Sequence, residues 1–263
     1  MPFNRNRFKR TELMLGSMAM DRLEQACVTV IGLGAVGSHA VEALARSGIG
    51  RLRLVDFDVI TITNFNRQLL AVEPNMGLPK TLAAMERVKQ INPDINVERF
   101  DTFCHKETFG AVFPPTHGDT THSPPGNPPL HVVIDAIDSL NPKVNILFEL
   151  VTRSIPVVSS MGAARRMDPC AVRTGDISVT AGCPLARSVR KRLRRRGIGS
   201  GIQCVYSGET VHKDTLSPDI EDNYLNGGRP RNPMGSLSMI SGIFGYTAAL
   251  ESMKIILGDI VKW

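Results

Sequence analysis

Short apolar runs alternate with stretches of helical periodicity along residues 28–160. Strand-like runs fall at 28–32, 51–55, 96–100, 131–135 and 156–159, and helical patterns at 36–47, 80–91 and 143–153. Strands spaced by helices in this rhythm predict an α/β fold: a Rossmann-like, doubly wound, mostly parallel sheet that binds ligands at the carboxyl ends of its strands. The stretch 114–129, "PPTHGDTTHSPPGNPP", holds six prolines and little that can pack, so it reads as an exposed loop inserted before the fourth strand. After residue 160 the rhythm breaks. "AVRTGDISV" predicts a strand, Pro184 suits the first turn of a helix, and a short strand is expected at 201–206. The polar, Gly-, Pro- and Asn-rich stretch 214–233 reads as a connection, and 236–256 as a core or dimer-interface helix. The expected organisation is an N-terminal helical segment (1–27), a nucleotide-binding region (28–162) with an insert at 114–130, and a C-terminal region (163–263) continuous with the same domain.

The first strand leads into "GLGAVGS". Gly32 permits the tight turn, Gly34 lets a phosphate approach the backbone, and Gly37 brings helix and strand together. The N–H groups of Ala35 and Val36 then open the helix towards an anion. A glycine turn that binds nothing is the alternative, and the motif does not distinguish NAD from other phosphate compounds. Asp56, 24 residues beyond Gly32, stands where a carboxylate accepts hydrogen bonds from a ribose, a feature shared with NAD enzymes. The neighbouring polar set is more selective: Asp58, Asn64, Asn66, Arg67, Gln68 and Lys80, with Asp135 and Asp138 after the fourth strand. Two fixed cations and a carboxylate around one phosphate site suit ATP with Mg²⁺. The cations hold the β- and γ-phosphates and Asp138 completes a hydrated metal's coordination. Hydride transfer needs none of this. Taken singly, Arg67 is also a surface guanidinium able to pair with Asp58, Lys80 an ordinary lysine at a helix start, and Asp138 a helix cap.

The formal charge is +6, and seven cations lie between residues 187 and 196: Arg187, Arg190, Lys191, Arg192, Arg194, Arg195 and Arg196. Without them 24 basic residues face 25 acidic ones, so the excess sits in this block. Such density favours a polyanion, here nucleic acid, over a merely solvated face. The five cysteines, Cys27, Cys104, Cys170, Cys183 and Cys204, form no CxxC pair. They argue for reduced thiols in a cytoplasm and against a zinc ribbon or disulfide framework. His117, His122 and His131 are spaced too loosely to read as a metal site. The apolar stretch 237–257 carries Glu251 and Lys254, which predicts a helix buried in protein rather than a membrane span, and "MPFNRNRFKR" lacks the apolar core of a signal peptide.

In order and spacing, "GLGAVGS", "DFDVITITNFNRQ", Lys80 and "DAIDS" resemble the ubiquitin-activating-enzyme-like superfamily, across roughly residues 7–161. That superfamily includes the bacterial adenylyltransferases that activate sulfur-carrier proteins. The resemblance implies MgATP binding and adenylation of a carboxylate, with Asp56 on the ribose, Asn66, Arg67 and Lys80 on the phosphates, and Asp138 positioning Mg²⁺. It also implies a homodimer, because Arg10 in "RFKRTELMLG" matches an arginine that reaches the γ-phosphate in the neighbouring subunit. Arg10, Arg67 and Lys80 are the implied catalytic residues. The run "DISVT" followed by "CPLARSVRKRLR" resembles the branch that dehydrates N6-threonylcarbamoyladenosine in tRNA. That branch implies a carboxyl-adenylate route needing no protein nucleophile, with the cations of residues 187–196 on tRNA. A cysteine desulfurase/sulfur-acceptor system is a further candidate partner. Three alternatives stay open: an adenylyltransferase for a ubiquitin-like sulfur carrier, a silent nucleotide-binding scaffold, and an NAD dehydrogenase.

Overall fold

Seven strands form one sheet in this computed structural model, which describes residues 4–105, 107–113, 130–212 and 234–263. They are β1 (Cys27–Ile31), β2 (Arg51–Val55), β3 (Asn96–Phe100), β4 (His131–Asp135), β5 (Val157–Ser160), β6 (Val172–Asp176) and β7 (Gln203–Ser207), in the order β3-β2-β1-β4-β5-β7-β6. Every neighbouring pair is parallel except β6 and β7. The chain winds outward from β1 through β2 to β3, then restarts at β4 on the other side of β1. Loops leaving β1 and β4 therefore part company, and a crevice opens at their carboxyl ends. Ile31 pairs with both Val55 and Asp135, which places the three loops that follow at one level.

Alternation along the strands feeds two apolar layers. Val28, Val30, Leu52, Leu54, Val132 and Ile134 pack with Met20, Leu44, Val88 and Phe244 of α2 (Ser17–Gln25), α3 (Gly37–Ser47), α4 (Lys80–Ile91) and α8 (Ser238–Leu257). α1 (Lys9–Leu15) packs on α2. Val55, Val133, Val157 and Cys204 pack with Phe109, Leu147 and Val189 of α5 (Phe109–Val112), α6 (Leu140–Thr152) and α7 (Pro184–Arg194).

The expected strands appear with most ends shifted by a residue or two. The strand expected over 171–179 shortens to β6, because Ile177–Val179 turns into a 3₁₀ helix capped by Asp176, and β6 and β7 join the same sheet. Helix α6 begins at Leu140, earlier than the predicted 143, because Pro142 sits in the first turn, where its missing N–H has no intrahelical partner to lose. The segment Ser238–Ile260 is long and apolar enough to cross a membrane, yet 67% of its most apolar 18-residue stretch is buried against the rest of the protein. A Cβ on Gly245 would lie 2.5 Å from the Val36 carbonyl, so α8 runs hard against the start of α3 and braces the turn before it. The predicted insert at 114–129, with His117 and His122, and the connection 214–233 lie outside the described residues.

Candidate functional site

The turn after β1 closes on itself. Gly32 holds φ +88°, and a Cβ on Gly37 would stand 1.8 Å from the Gly32 carbonyl, so no side chain fits there. A Cβ on Gly34 would meet only the Gln68 amide nitrogen, at 3.8 Å, leaving open space above the backbone. Asp56, at the end of β2, ties the turn down. One carboxylate oxygen accepts the Leu33 N–H at 2.6 Å and the other the Asp58 N–H at 2.8 Å. Burial pushes this carboxyl above its ordinary range, against the pull of nearby Lys80 and the two N–H donors.

Beyond β2 the chain doubles back: Ile60 N–H bonds Leu78, Gly77 N–H bonds Ile60, and Lys80 N–H bonds the Asp58 carbonyl. This places Lys80 at the head of α4, buried, with its ammonium 2.9 Å from the half-exposed Asp58 carboxylate. Asp58 thus pairs with Lys80 rather than with Arg67. Asn64 is buried as a cap, its side chain accepting the Thr61 N–H at 3.2 Å. The following residues dock on the glycine turn through Ser38, whose hydroxyl donates to the Gly34 carbonyl and accepts the Leu69 N–H. There Gln68 is buried with its amide oxygen unpartnered among the described residues. Arg67, partly exposed, donates to the Thr63 carbonyl at 2.7 Å and the Asn66 amide oxygen at 2.9 Å, and Asn66 donates to the Ser236 carbonyl.

On the other side, the Ala136 N–H bonds Ile31, and the Ala136 carbonyl lies 3.0 Å from where a Gly32 Cβ would be. Asp138 is exposed on this loop. Ser139, not Asp138, holds the N-cap position of α6. Asp135 needs a correction: counted among the ligand residues from its sequence position, it is completely buried and stands behind the site. Its oxygens accept from Ile137 N–H at 3.1 Å, Lys143 Nζ at 2.7 Å and Ser159 Oγ at 2.7 Å. Lys143, also completely buried, donates in addition to the Ile137 carbonyl. A spacing such as DxxD carries no burial information, so both aspartates counted as ligand residues, with Mg²⁺ given to Asp138 alone, and Lys143 was passed over. The segments carrying Arg67 and Asp138 therefore abut the glycine turn directly, and Lys80 is linked to it through Asp58 and Asp56.

The basic helix lies along α6, which starts at the Asp138 loop. Arg192 hydrogen-bonds Asn141, Arg196 donates to Asn145 at 3.0 Å and stacks on Phe148, and Arg190 donates to the carbonyl and hydroxyl of Thr180. Arg187, Lys191, Arg194 and Arg195 face solvent. Among the described residues none of the seven cations has a carboxylate partner. Arg10 is exposed on α1, beside exposed Leu13, Met14 and Met18. The five cysteines are free thiols. Burial pushes the Cys104 thiol up to about 12 and raises Cys204 as well, so neither is a ready nucleophile. Cys183 is buried, capping α7 by accepting the Ala186 N–H. His131 is buried on Thr29. Among the described residues no three His, Cys, Asp or Glu side chains form a metal-binding group.

The ThiF family model matches residues 8–262. The chain belongs to the ThiF family. Within its sequence relatives, the chain is 35% identical to the tRNA threonylcarbamoyladenosine dehydratase of Bacillus subtilis, over 97% of this chain and 96% of that one. It is 28% identical to the molybdopterin-synthase adenylyltransferase of Haemophilus influenzae, over 93% and 81%. The fold superposes on the Escherichia coli tRNA N6-threonylcarbamoyladenosine dehydratase solved in complex with ATP, with a TM-score of 0.80 at 31% identity, covering 97% of this chain and 95% of that one.

Proposed function

We propose that this protein uses ATP to dehydrate N6-threonylcarbamoyladenosine in tRNA, closing its free carboxylate into a ring through a carboxyl-adenylate. The observation that carries the reading is a junction: Arg192 of the basic helix bonds Asn141, three residues past Asp138. A phosphate cradle and a polyanion surface thus share one edge of the sheet. Near-full-length likeness to the Bacillus subtilis dehydratase supports the same reading over activation of a sulfur carrier, whose adenylyltransferase is less similar.

In this reaction the substrate carboxylate attacks the ATP α-phosphorus and pyrophosphate leaves. The carbamoyl group of the same substrate then attacks the activated acyl carbon, loses a proton and expels AMP. Loss of water from a free carboxylate is unfavourable; adenylation supplies the leaving group. Both reacting groups belong to one bound molecule, so proximity replaces a protein nucleophile. Each Asp56 oxygen spends one lone pair on the turn and keeps another for a ribose hydroxyl. The open space over Gly34 and the N–H groups of Ala35, Val36 and Gly37 receive phosphate oxygens. Lys80, exchanging Asp58 for the polyphosphate, and Arg67, released from Thr63, stabilise charge on the departing pyrophosphate. Asp138 offers the exposed hard oxygen that Mg²⁺ prefers, and the ion when bound there neutralises polyphosphate charge.

The exposed apolar residues around Arg10 support a homodimer in which Arg10 serves the neighbouring subunit's γ-phosphate. Free thiols suit a cytoplasmic setting. The dehydration consumes no sulfur, so it requires no sulfur-acceptor system. Pyrophosphate exchange tests the reading: it should depend on modified tRNA. Exchange that depends instead on the C-terminus of a sulfur-carrier protein would transfer the assignment to that class.

A further inference from the structure

Another cation, outside the residues assigned to the ATP cradle, lies in the loop after β5. Arg166 follows β5 in the loop 161–168 and is only 2% exposed. Its Nη2 donates to the Gly182 carbonyl at 3.0 Å, while Nε and Nη1 are buried without a partner among the described residues. The carboxylate next to this loop, Glu209, is already committed. It accepts the N–H groups of Met167 and Asp168 at 3.0 Å and pairs with His212 at 2.7 Å. A guanidinium cannot shed its proton in a protein, so burying one without a counter-charge is costly, and each unmade donor adds to the cost.

Three further features surround this orphan. Gly182, whose carbonyl Arg166 holds, is exposed, so the guanidinium lies directly beneath the surface. Gly182 also precedes Cys183, the N-cap of the eleven-residue helix α7, whose N-terminus adds positive potential and whose first turn carries exposed Arg187. A Cβ on Gly162 would touch Cys183 Sγ at 3.4 Å, which packs the loop directly against that helix start. Arg165, immediately before, holds φ +61°, a left-handed conformation that a long side chain adopts at a cost. Such backbone strain persists where the surrounding structure enforces it, and it gathers at binding sites.

We propose that Arg166 and the N-terminus of α7 form an oxyanion-binding subsite for the tRNA substrate, distinct from the ATP cradle. The identity of the ligand rests on the dehydration reading; the anion site itself rests on the orphaned donors. β5 lies beyond β4 as seen from β1, so the subsite stands on the side of the Asp138 loop away from the glycine turn. The planar fork of Arg166 suits two oxygens of one phosphate or carboxylate. Two sources carry that chemistry: a phosphodiester flanking the modified nucleotide, or the carboxylate of the modified base.

The test measures binding of two anticodon stem-loop RNAs to the full-length wild type, Arg166→Met and Arg166→Lys, with MgATP affinity and thermal unfolding in orthophosphate alongside. One RNA carries the modified adenosine and the other plain adenosine. Arg166→Met should weaken RNA binding by about tenfold or more, the scale of a lost charge-assisted hydrogen bond, while MgATP affinity stays unchanged. Arg166→Lys should lose less. Equal loss with both RNAs identifies a phosphodiester; loss confined to the modified RNA identifies the carboxylate. With the ATP cradle saturated by MgATP, orthophosphate should raise the unfolding temperature of the wild type more than that of Arg166→Met. If Arg166→Met does not fold, Arg166→Lys takes its place, with a loss of about threefold expected for the missing fork. RNA affinity within about twofold of wild type, with orthophosphate protecting both proteins equally, would overturn the subsite. Should wild-type protein fail to dehydrate any tRNA, the functional reading falls, and the orthophosphate comparison still decides the anion site.

Discussion

The two halves of the carboxyl edge treat charge in opposite ways. Around β2, β1 and β4 the buried lysines pair with carboxylates, Lys80 with Asp58 and Lys143 with Asp135, while Asp56 is held by two backbone N–H groups. Behind them Glu42 of α3 pairs with Arg87 and Arg46. Around β5 and α7 the cations rest on neutral groups: Arg190 on Thr180, Arg192 on Asn141, Arg196 on Asn145 and Phe148, Arg166 on Gly182. The first half holds its charges in place within the chain, so that Lys80 and Arg67 need only exchange Asp58 and Thr63 for a ligand's phosphates. The second leaves its compensation to an incoming polyanion, which suits binding governed by phosphates and salt. One sheet thus presents a half whose buried lysines are compensated within the chain beside a cationic surface that is not.

The contrast should be widest at Lys143. Lys143→Met leaves Asp135 buried and unpaired, and urea denaturation should show a loss of about 3–5 kcal/mol. Adding Asp135→Asn should recover much of it. Arg192→Met, in the uncompensated half, should cost under about 1 kcal/mol in the same assay. Equal losses at the two sites would erase the contrast.

Lys80→Met should lower kcat/KM of the dehydration by about 10²–10³-fold, the usual scale for one preorganised charge-stabilising group, in steady-state kinetics with saturating tRNA. A loss below about threefold would mean that Lys80 serves only its ion pair with Asp58.

Replacing Arg192, Arg194 and Arg195 together with Gln should weaken tRNA binding and leave MgATP affinity in place. In a salt titration the log–log slope should shallow by about 0.7 for each phosphate that the helix no longer neutralises. An unchanged slope would return the helix to the status of a solvated face.

The smallest effect belongs to Glu42. Burial pushes its carboxyl up, but hydrogen bonds from Arg87 and Arg46 outweigh this and hold it below its ordinary value of 4.5. A carboxyl depressed on folding stabilises fully above its unfolded value, and that stability drains away as pH falls below about 4.5. Glu42→Gln should therefore flatten the acid limb of the stability–pH curve by under about 1 kcal/mol. An unaltered limb would show that Glu42 gains nothing from its two arginines.

Legibility in the sequence follows the same divide. The β1 turn, Asp56, the Arg67 segment and Lys80 form consecutive motifs in which residue type, spacing and backbone need coincide, so the fold could be read before any coordinates and the residues proposed for the cradle could be picked out. Burial was not legible: Asp135 and Asp138 look alike in "DAIDS", and only the packed sheet separates the scaffold carboxylate from the exposed one. Pro142 hid the first turn of α6, because proline marks a break and a helix start equally well. Arg166 sits in a loop where an arginine carries no pattern, and its orphaned donors exist only once β5 and α7 are brought together. The partners of Arg192 and Arg196 lie 51 residues away in α6, beyond any local motif.

The most direct measurement is mass spectrometry of tRNA nucleosides after incubation with purified protein and MgATP. N6-threonylcarbamoyladenosine should lose one water while one AMP and one pyrophosphate form per nucleoside. Unaltered nucleoside beside steady adenylation of a carrier protein's C-terminus would contradict the dehydration.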